Sequence, residues 1–286
     1  MAVWGLGVIN NVINWGRGAF NNLISWGIVQ KTSLAGDTEI YGTRQDADTT
    51  AFLSATGITD PTIQDAINTL VTDLKTDGIW DKMKAIYPFV GGTATTHKFN
   101  LKDARDLDVA FRLAFSGGVT HSANGVVGNG VNGFANTFIN PLTNLSQNNV
   151  SVNIYSRNSI TGQSDFGAPN LSGYLNISNK QHFKINQSTS FSATTNTQSS
   201  LGLFSFNRVN STQESVYKNG NLLETFSKNS VTPTPTSFTL LALVWAAEYG
   251  NKQQAFASIG EGLTTTEASN LYLAVQKFQT TLNRQV

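Results

Sequence analysis

The stretch Val150-Ser151-Val152-Asn153-Ile154-Tyr155 places an apolar residue at every second position, with Ser151, Asn153 and Tyr155 between them. That rhythm of two fits a strand, whose side chains point alternately to opposite faces of a sheet, and it predicts a half-buried strand. It recurs where Phe111, Leu113 and Phe115 alternate with Arg112 and Ala114, and where Leu201, Leu203 and Ser205 oppose Gly202, Phe204 and Phe206. Between these runs lie Asn124-Gly125, Gly128-Asn129-Gly130 and Asn132-Gly133, residues that accept turn conformations. The apolar run Phe238 to Trp245 reads as a more buried, central strand. Many short strands without intervening helices predict a mainly β chain folded as an antiparallel sandwich.

Helical signals flank this region. Asp60 can cap a helix with Pro61 in its first turn, where the missing N–H costs nothing. Ile63, Ala66, Ile67, Leu70, Val71 and Leu74 then form one apolar face. Ile79 to Tyr87 reads as a second, short helix before Pro88, with Trp80, Met83 and Tyr87 in the core. Near the end, Thr264 and Glu267 match a capping box. Leu271, Val275, Phe278 and Leu282 follow on one face.

The chain has 286 residues, 40% hydrophobic and 13% charged, with 19 Lys and Arg against 18 Asp and Glu. A net charge of +1 provides no field that would favour nucleic acid. The absence of cysteine removes disulfides, thiolate metal sites and Cys nucleophiles. Polarity comes from 30 Asn and 33 Thr, which suit strands and turns. No signal peptide is indicated and no apolar run is long enough for a membrane span.

The first 28 residues repeat every 11: Trp4-Gly5, Trp15-Gly16 and Trp26-Gly27 are in register, as are Ile13 and Ile24. Three indoles, each offering about 150–250 Å², cannot be buried within so short a segment. Trp4, Trp15, Trp26, Ile13 and Ile24 are therefore expected to anchor the arm to a sister subunit or a larger partner, the alternative being packing on the body of the same chain. The resulting division is an arm over 1–30, a polar connector over 31–48, a helical segment over 49–92 and a sandwich with its closing helix over 93–286. The helical segment is expected to pack on the sandwich, because about 40 residues make a poor core of their own.

Catalytic chemistry is thinly represented. From residue 109 onward the acids are Asp165, Glu214, Glu224, Glu248, Glu261 and Glu267, with no closely spaced pair suited to glycoside hydrolysis. His97, His121 and His182 show no metal-ligand spacing. Asp103, Asp106 and Asp108 alternate with Arg105 and Lys102, as in a salt-bridged surface loop. No catalytic residue, metal or cofactor is expected. Sugar stacking is a different matter: Phe134, Phe138, Tyr155, Phe166 and Tyr174 sit among Asn and Ser residues, and Phe166 and Tyr174 are the chosen candidates for glycan contact.

Val216-Tyr217-Lys218-Asn219-Gly220-Asn221 resembles the V-Y-x-N-G hairpin of laminin-G/concanavalin A-like domains, and Ile259-Gly260-Glu261-Gly262-Leu263-Thr264-Thr265-Thr266-Glu267-Ala268 resembles their ending. Ile58-Thr59-Asp60-Pro61 through Met83-Lys84-Ala85-Ile86-Tyr87-Pro88-Phe89-Val90-Gly91-Gly92, His97 to Asp103 and Ala255 to Leu263 are similar to virion proteins of tailed bacteriophages infecting Bacteroidota. Together these cover about residues 48–286. The resemblance implies a laminin-G-like jelly roll with a helical segment before it and a helix after it. It also implies a structural component of a tail- or head-fibre-type appendage, made in the host cytoplasm and carried on the phage particle. Its expected partners are other virion proteins through the arm, further copies of itself (a trimer would suit a fibre) and a host surface glycan. The alternatives are a lectin-like module whose main task is sugar binding, and a glycoside hydrolase with an atypical site. The E-x-D-x-x-E strand of glucanases of this fold is missing.

Overall fold

The computed structural model describes residues 29–34, 38–43, 45–188, 191–194 and 199–286. Trp4, Ile13, Trp15, Ile24 and Trp26 lie outside the described residues. The chain divides into two units, one ending at Asp46 and one spanning Ala47–Val286. In the first, β1 (Val29–Leu34) pairs with β2 (Thr38–Thr43), Val29 opposite Thr43 and Leu34 opposite Thr38. The stretch expected as a connector thus contains most of a hairpin, because Thr32, Thr38, Ile40 and Thr43 are β-branched and favour extended backbone.

The second unit contains two large antiparallel sheets. One runs β15 (Asn221–Ser227), β14 (Gln213–Lys218), β13 (Gly202–Arg208), β8 (Val150–Ser156), β19 (Gln253–Gly260), β6 (Gly125–Gly128), β5 (Val119–Ser122), with β3 (Met83–Tyr87) also paired to β19. The other runs β12 (Ser192–Ala193), β11 (Lys180–Ile185), β10 (Leu171–Ile177), β9 (Phe166–Ala168), β16 (Thr239–Leu240), β7 (Phe134–Asn136), β4 (Ala114–Ser116). A small ribbon pairs β17 (Ala242–Leu243) with β18 (Glu248–Tyr249). The mainly β sandwich expected from the two-residue rhythm is the fold observed.

The sheets meet through their facing side chains. Val152 and Ile154 of β8, Phe204 and Phe206 of β13, Phe166 of β9 and Phe238 share one apolar core. Phe166 stands at its centre, 5.3 Å from the Phe206 ring and 5.8 Å from that of Phe238. The other face of the larger sheet is not open to water. Tyr155, Leu203 and Tyr217 lie in a second core with α1 (Ala47–Thr56), α2 (Pro61–Thr76) and α3 (Thr265–Thr281). This helical layer explains why all seven residues of β8 are buried, where alternation alone predicted half.

The helices begin where the sequence signals them. The Asp60 carboxylate accepts from Thr62 N at 2.8 Å and Ile63 N at 3.1 Å, and Pro61 occupies the first turn. Thr264 and Glu267 form the reciprocal capping box. Ala66, Ile67, Leu70, Val71 and Leu74 are buried, as are Leu271, Val275 and Phe278. No described helix is long and apolar enough to cross a membrane.

Three local expectations are corrected. Ile79 to Tyr87 is a 3₁₀ turn at Trp80–Lys82 followed by β3, since pairing with β19 supplies the backbone partners that a helix would otherwise make. Phe111 has φ +58°, so the expected strand there begins only at Ala114. The run Phe238 to Trp245 is not one central strand: Leu241 adopts φ +66° and breaks it into two-residue pieces. That break builds the site described next.

Candidate functional site

The outward face of the smaller sheet follows from strand parity. Ala135, Phe166, Ala168 and Leu240 point into the core, so their neighbours Phe134, Asn136, Gly167 and Thr239 point away. Here the chain doubles back. At the Leu241 kink its N–H donates to Asp165 O at 2.8 Å and its carbonyl accepts from Gly250 N at 2.6 Å. Leu243 then lies over Gly167, where an added Cβ would come within 2.3 Å of Leu243 Cδ1. Any larger residue at 167 would force the Leu243 side chain and Ser172 to shift.

The return ends in a 3₁₀ turn over Val244–Ala246, closed by Ala247 at φ +54°. Two non-glycine residues in the left-handed region therefore bracket Trp245, at a cost on the order of 1–3 kcal/mol each. Trp245 is 56% exposed, where a large aromatic is ordinarily covered. It borders a cavity of about 250 Å³ lined by Phe134, Asn136, Gly167, Thr236, Ser237, Thr239, Val244 and Trp245.

The lining mixes apolar and polar groups. Thr239 is nearly buried, and its hydroxyl donates to Gly167 O at 2.9 Å and Ala242 O at 2.8 Å. Phe134 and Val244 are half-buried, Thr236 is exposed and Ser237 lies between. Asn136 uses its Oδ1 to accept from Phe138 N at 3.0 Å, so its amide N–H groups remain for a ligand. Phe134, Val244 and Trp245 supply apolar surface, Asn136, Thr236 and Ser237 supply amide and hydroxyl groups, and none of these side chains is charged.

Support comes from behind. Asp165, fully buried, accepts from Leu175 N at 2.7 Å and pairs with the buried Lys252 at 3.2 Å, while its carbonyl holds Gln254 Nε2 at 2.8 Å. Burial raises the Asp165 carboxyl from its ordinary value, against the opposing pull of Lys252. The residue that positions Leu241 is thereby fixed by both large sheets.

Neither residue chosen for glycan contact is available. Phe166 points to the inner face and is fully buried, its ring covering the position a Cβ would take on Gly173. Tyr174 is on the correct outward face but only 7% exposed: Glu248 accepts its hydroxyl hydrogen and the Phe191 ring packs edge-on at 5.2 Å. Burial, then the Glu248 carboxylate, raise the Tyr174 hydroxyl above its ordinary value. Of the wider aromatic set, Tyr155 is buried under the helices and Phe138 sits beside Arg112, while Phe134 does reach the cavity. Trp245 was hidden because an eight-residue apolar run carries no periodicity to show where it kinks.

Other titratable groups are structural. Asp103 binds Arg105 Nε at 2.8 Å and Asp108 binds Arg112 Nε at 2.8 Å, forming the salt-bridged loop the sequence indicated. Among the described residues no group of three His, Asp or Glu could hold a metal. A larger cavity, about 370 Å³, lies beside Arg284 and Asp60. The buried Arg284 guanidinium is held by Pro88 O, Phe89 O, Ala123 O, Ala255 O and Gln279 Oε1 at 2.6–3.1 Å, so it offers no hydrogen bond to a ligand. His97 Nε2 accepts from Gly92 N at 3.1 Å, and its Nδ1 lies 3.1 Å from His121 Nδ1.

No protein-family model and no curated protein matches the chain. Solved structures do. A botulinum neurotoxin type C structure, for which interaction with two ganglioside molecules is described, aligns over 70% of this chain and 53% of its own at 14% identity and TM-score 0.50. The binding domain of Paraclostridial Mosquitocidal Protein 1 aligns over 68% and 52% at 12% identity and TM-score 0.48. Domain 4 of the arabinanase AbnA from Geobacillus stearothermophilus, in complex with arabinotriose, aligns over 66% and 98% at 16% identity and TM-score 0.39. The chain spans about half the length of the two toxin structures. At these identities the likeness concerns the fold alone, a β-sandwich.

Proposed function

We propose that this chain is a non-catalytic, lectin-like binding module whose ligand is a sugar held under Trp245. One observation carries the reading: an indole 56% exposed, held on a strained turn beside a small cavity with uncharged hydrogen-bonding groups in its lining. An indole face stacks on the C–H face of a pyranose, while Asn136, Thr236 and Ser237 can exchange hydrogen bonds with its hydroxyls. Hydrolysis is disfavoured because no carboxylate lines the cavity and the neighbouring Glu248 is engaged by Tyr174. A solved neighbour described with gangliosides fits a sugar-binding role for such a sandwich, but fold alone does not assign a ligand. The test is glycan-array and cell-surface polysaccharide binding by the full chain and by Trp245→Ala. Binding that falls at least tenfold in the variant, with its melting temperature unchanged, is expected. Binding unaffected by the substitution would overturn the assignment.

A second reading concerns where the module is carried. The period-11 Trp-Gly repeat and the resemblance to phage virion proteins favour a tail- or head-fibre-type appendage, anchored through Trp4, Trp15, Trp26, Ile13 and Ile24 and present in several copies for avidity. Electron microscopy of the assembly containing this chain tests it. Density for the repeat against another virion protein is expected; a chain absent from purified particles would refute it.

A further inference from the structure

We propose that the site under Trp245 selects an uncharged pyranose bearing a methyl group, as a 6-deoxyhexose or an N-acetylhexosamine does, and that the methyl is the part it buries. This rests on the sugar-binding reading and sharpens it. The most buried residues of the lining are Gly167 and Thr239, whose single hydroxyl hydrogen is taken by the Gly167 and Ala242 carbonyls. Phe134, Val244 and the Trp245 ring complete an apolar wall. A sugar hydroxyl buried against that wall would leave water without gaining a partner from it, whereas a methyl gains from burial. Of the hydrogen-bonding groups, Thr236 is exposed and Ser237 and Asn136 are half-buried, so all three can meet the ring hydroxyls.

Charge points the same way. No Lys, Arg or His lines the cavity, and the carboxylate of Glu248 lies three residues from Trp245. A uronic acid or sialic acid would meet no cation to offset its desolvation. The volume, about 250 Å³, is below the roughly 300–1,000 Å³ of common small-molecule sites, which suits one ring and not an extended chain.

The experiment is saturation-transfer NMR and titration calorimetry on the full chain with free L-fucose, L-rhamnose, N-acetylglucosamine, L-galactose, glucose and glucuronate. L-Fucose and L-galactose differ only in a methyl against a hydroxymethyl, so they form the deciding pair, while N-acetylglucosamine against glucose tests the acetyl source. The expected result is strongest saturation on the methyl protons and a preference of about fourfold or more for the methyl-bearing member of one pair, the value of one buried methyl. Glucuronate is expected not to bind. Val244→Thr, which adds a hydroxyl at nearly constant volume, should erase that preference while glucose or galactose binding persists. If the methyl-free sugars bind equally well, or glucuronate binds best, in a Trp245-dependent manner, the methyl inference falls and the sugar-binding reading stands. If none of these sugars binds and glycan arrays are also silent, both fall.

Discussion

Lowering the pH from 7.5 to 5 should weaken the fold through one histidine, and the size of the loss follows from its surroundings. His97 is 1% exposed, with Phe89 edge-on to its ring at 5.8 Å. Because its Nε2 accepts from Gly92 N, the proton of the neutral ring sits on Nδ1 and donates to His121 Nδ1. A second proton has no acceptor to meet: it would displace the Gly92 bond and place a charge near Arg284. Burial, then His121, then Arg284 lower the His97 pKa to about 3. A folded value below the unfolded 6.5 means that the unfolded chain takes up the proton first. Stability is therefore complete above about pH 7 and is lost as pH falls toward 3. At pH 5 the difference amounts to 1.5 units of the unfolded titration, about 2 kcal/mol at 1.36 kcal/mol per unit. Burial lowers the His121 pKa as well, adding a loss of the same sign. Urea unfolding of the wild type and of His97→Gln at pH 7.5 and pH 5 measures the effect. Gln can accept from Gly92 and donate to His121 without titrating, so the variant should lose about 2 kcal/mol less on acidification. Parallel losses in the two proteins would refute this account.

Two further outcomes follow from buried geometry. Glu214→Ala leaves the fully buried Arg208, 3.5 Å away, without its carboxylate, and also strips an acceptor from Ile185 N; a loss of about 3–5 kcal/mol in chemical denaturation is expected. Gly220→Ala forces a Cβ onto a residue at φ +75°, 2.9 Å from Ser269 Cα of α3, and should cost more than about 1 kcal/mol by the same assay, with the hairpin tip displaced from the helix.

Local chemistry was readable wherever the deciding partner lies a few residues away. Asp60 and Thr264 announce their caps, and Asn219-Gly220 announces a turn whose two residues both take positive φ, +49° and +75°. The alternation at Val150–Tyr155 located a central strand, and Val152 and Ile154 do face the opposing sheet. It could not show that helices more than 70 residues away in sequence cover Tyr155, so the strand was read as half exposed. Met83–Tyr87 has helical spacing of large side chains, but its partner β19 lies far along the chain and makes it a strand. The site was less legible still. Phe166 and Tyr174 were chosen as aromatics among polar neighbours, a pattern that also describes a core strand. Parity puts them on opposite faces, and the return at Leu241 covers the one that faces outward. Trp245 becomes available only through that return, which no turn residue in the run marks.

The helical layer on the larger sheet has a practical corollary for handling the protein. A fragment beginning at residue 93 would lack α1, α2 and β3, stripping from α3 the helices it shares a core with and leaving the C-terminal half of β19 with an unsatisfied flank. Such a fragment would be prone to self-association. Tags, fusions and crystallisation truncations are therefore best placed upstream of Ala47, where both apolar cores stay intact.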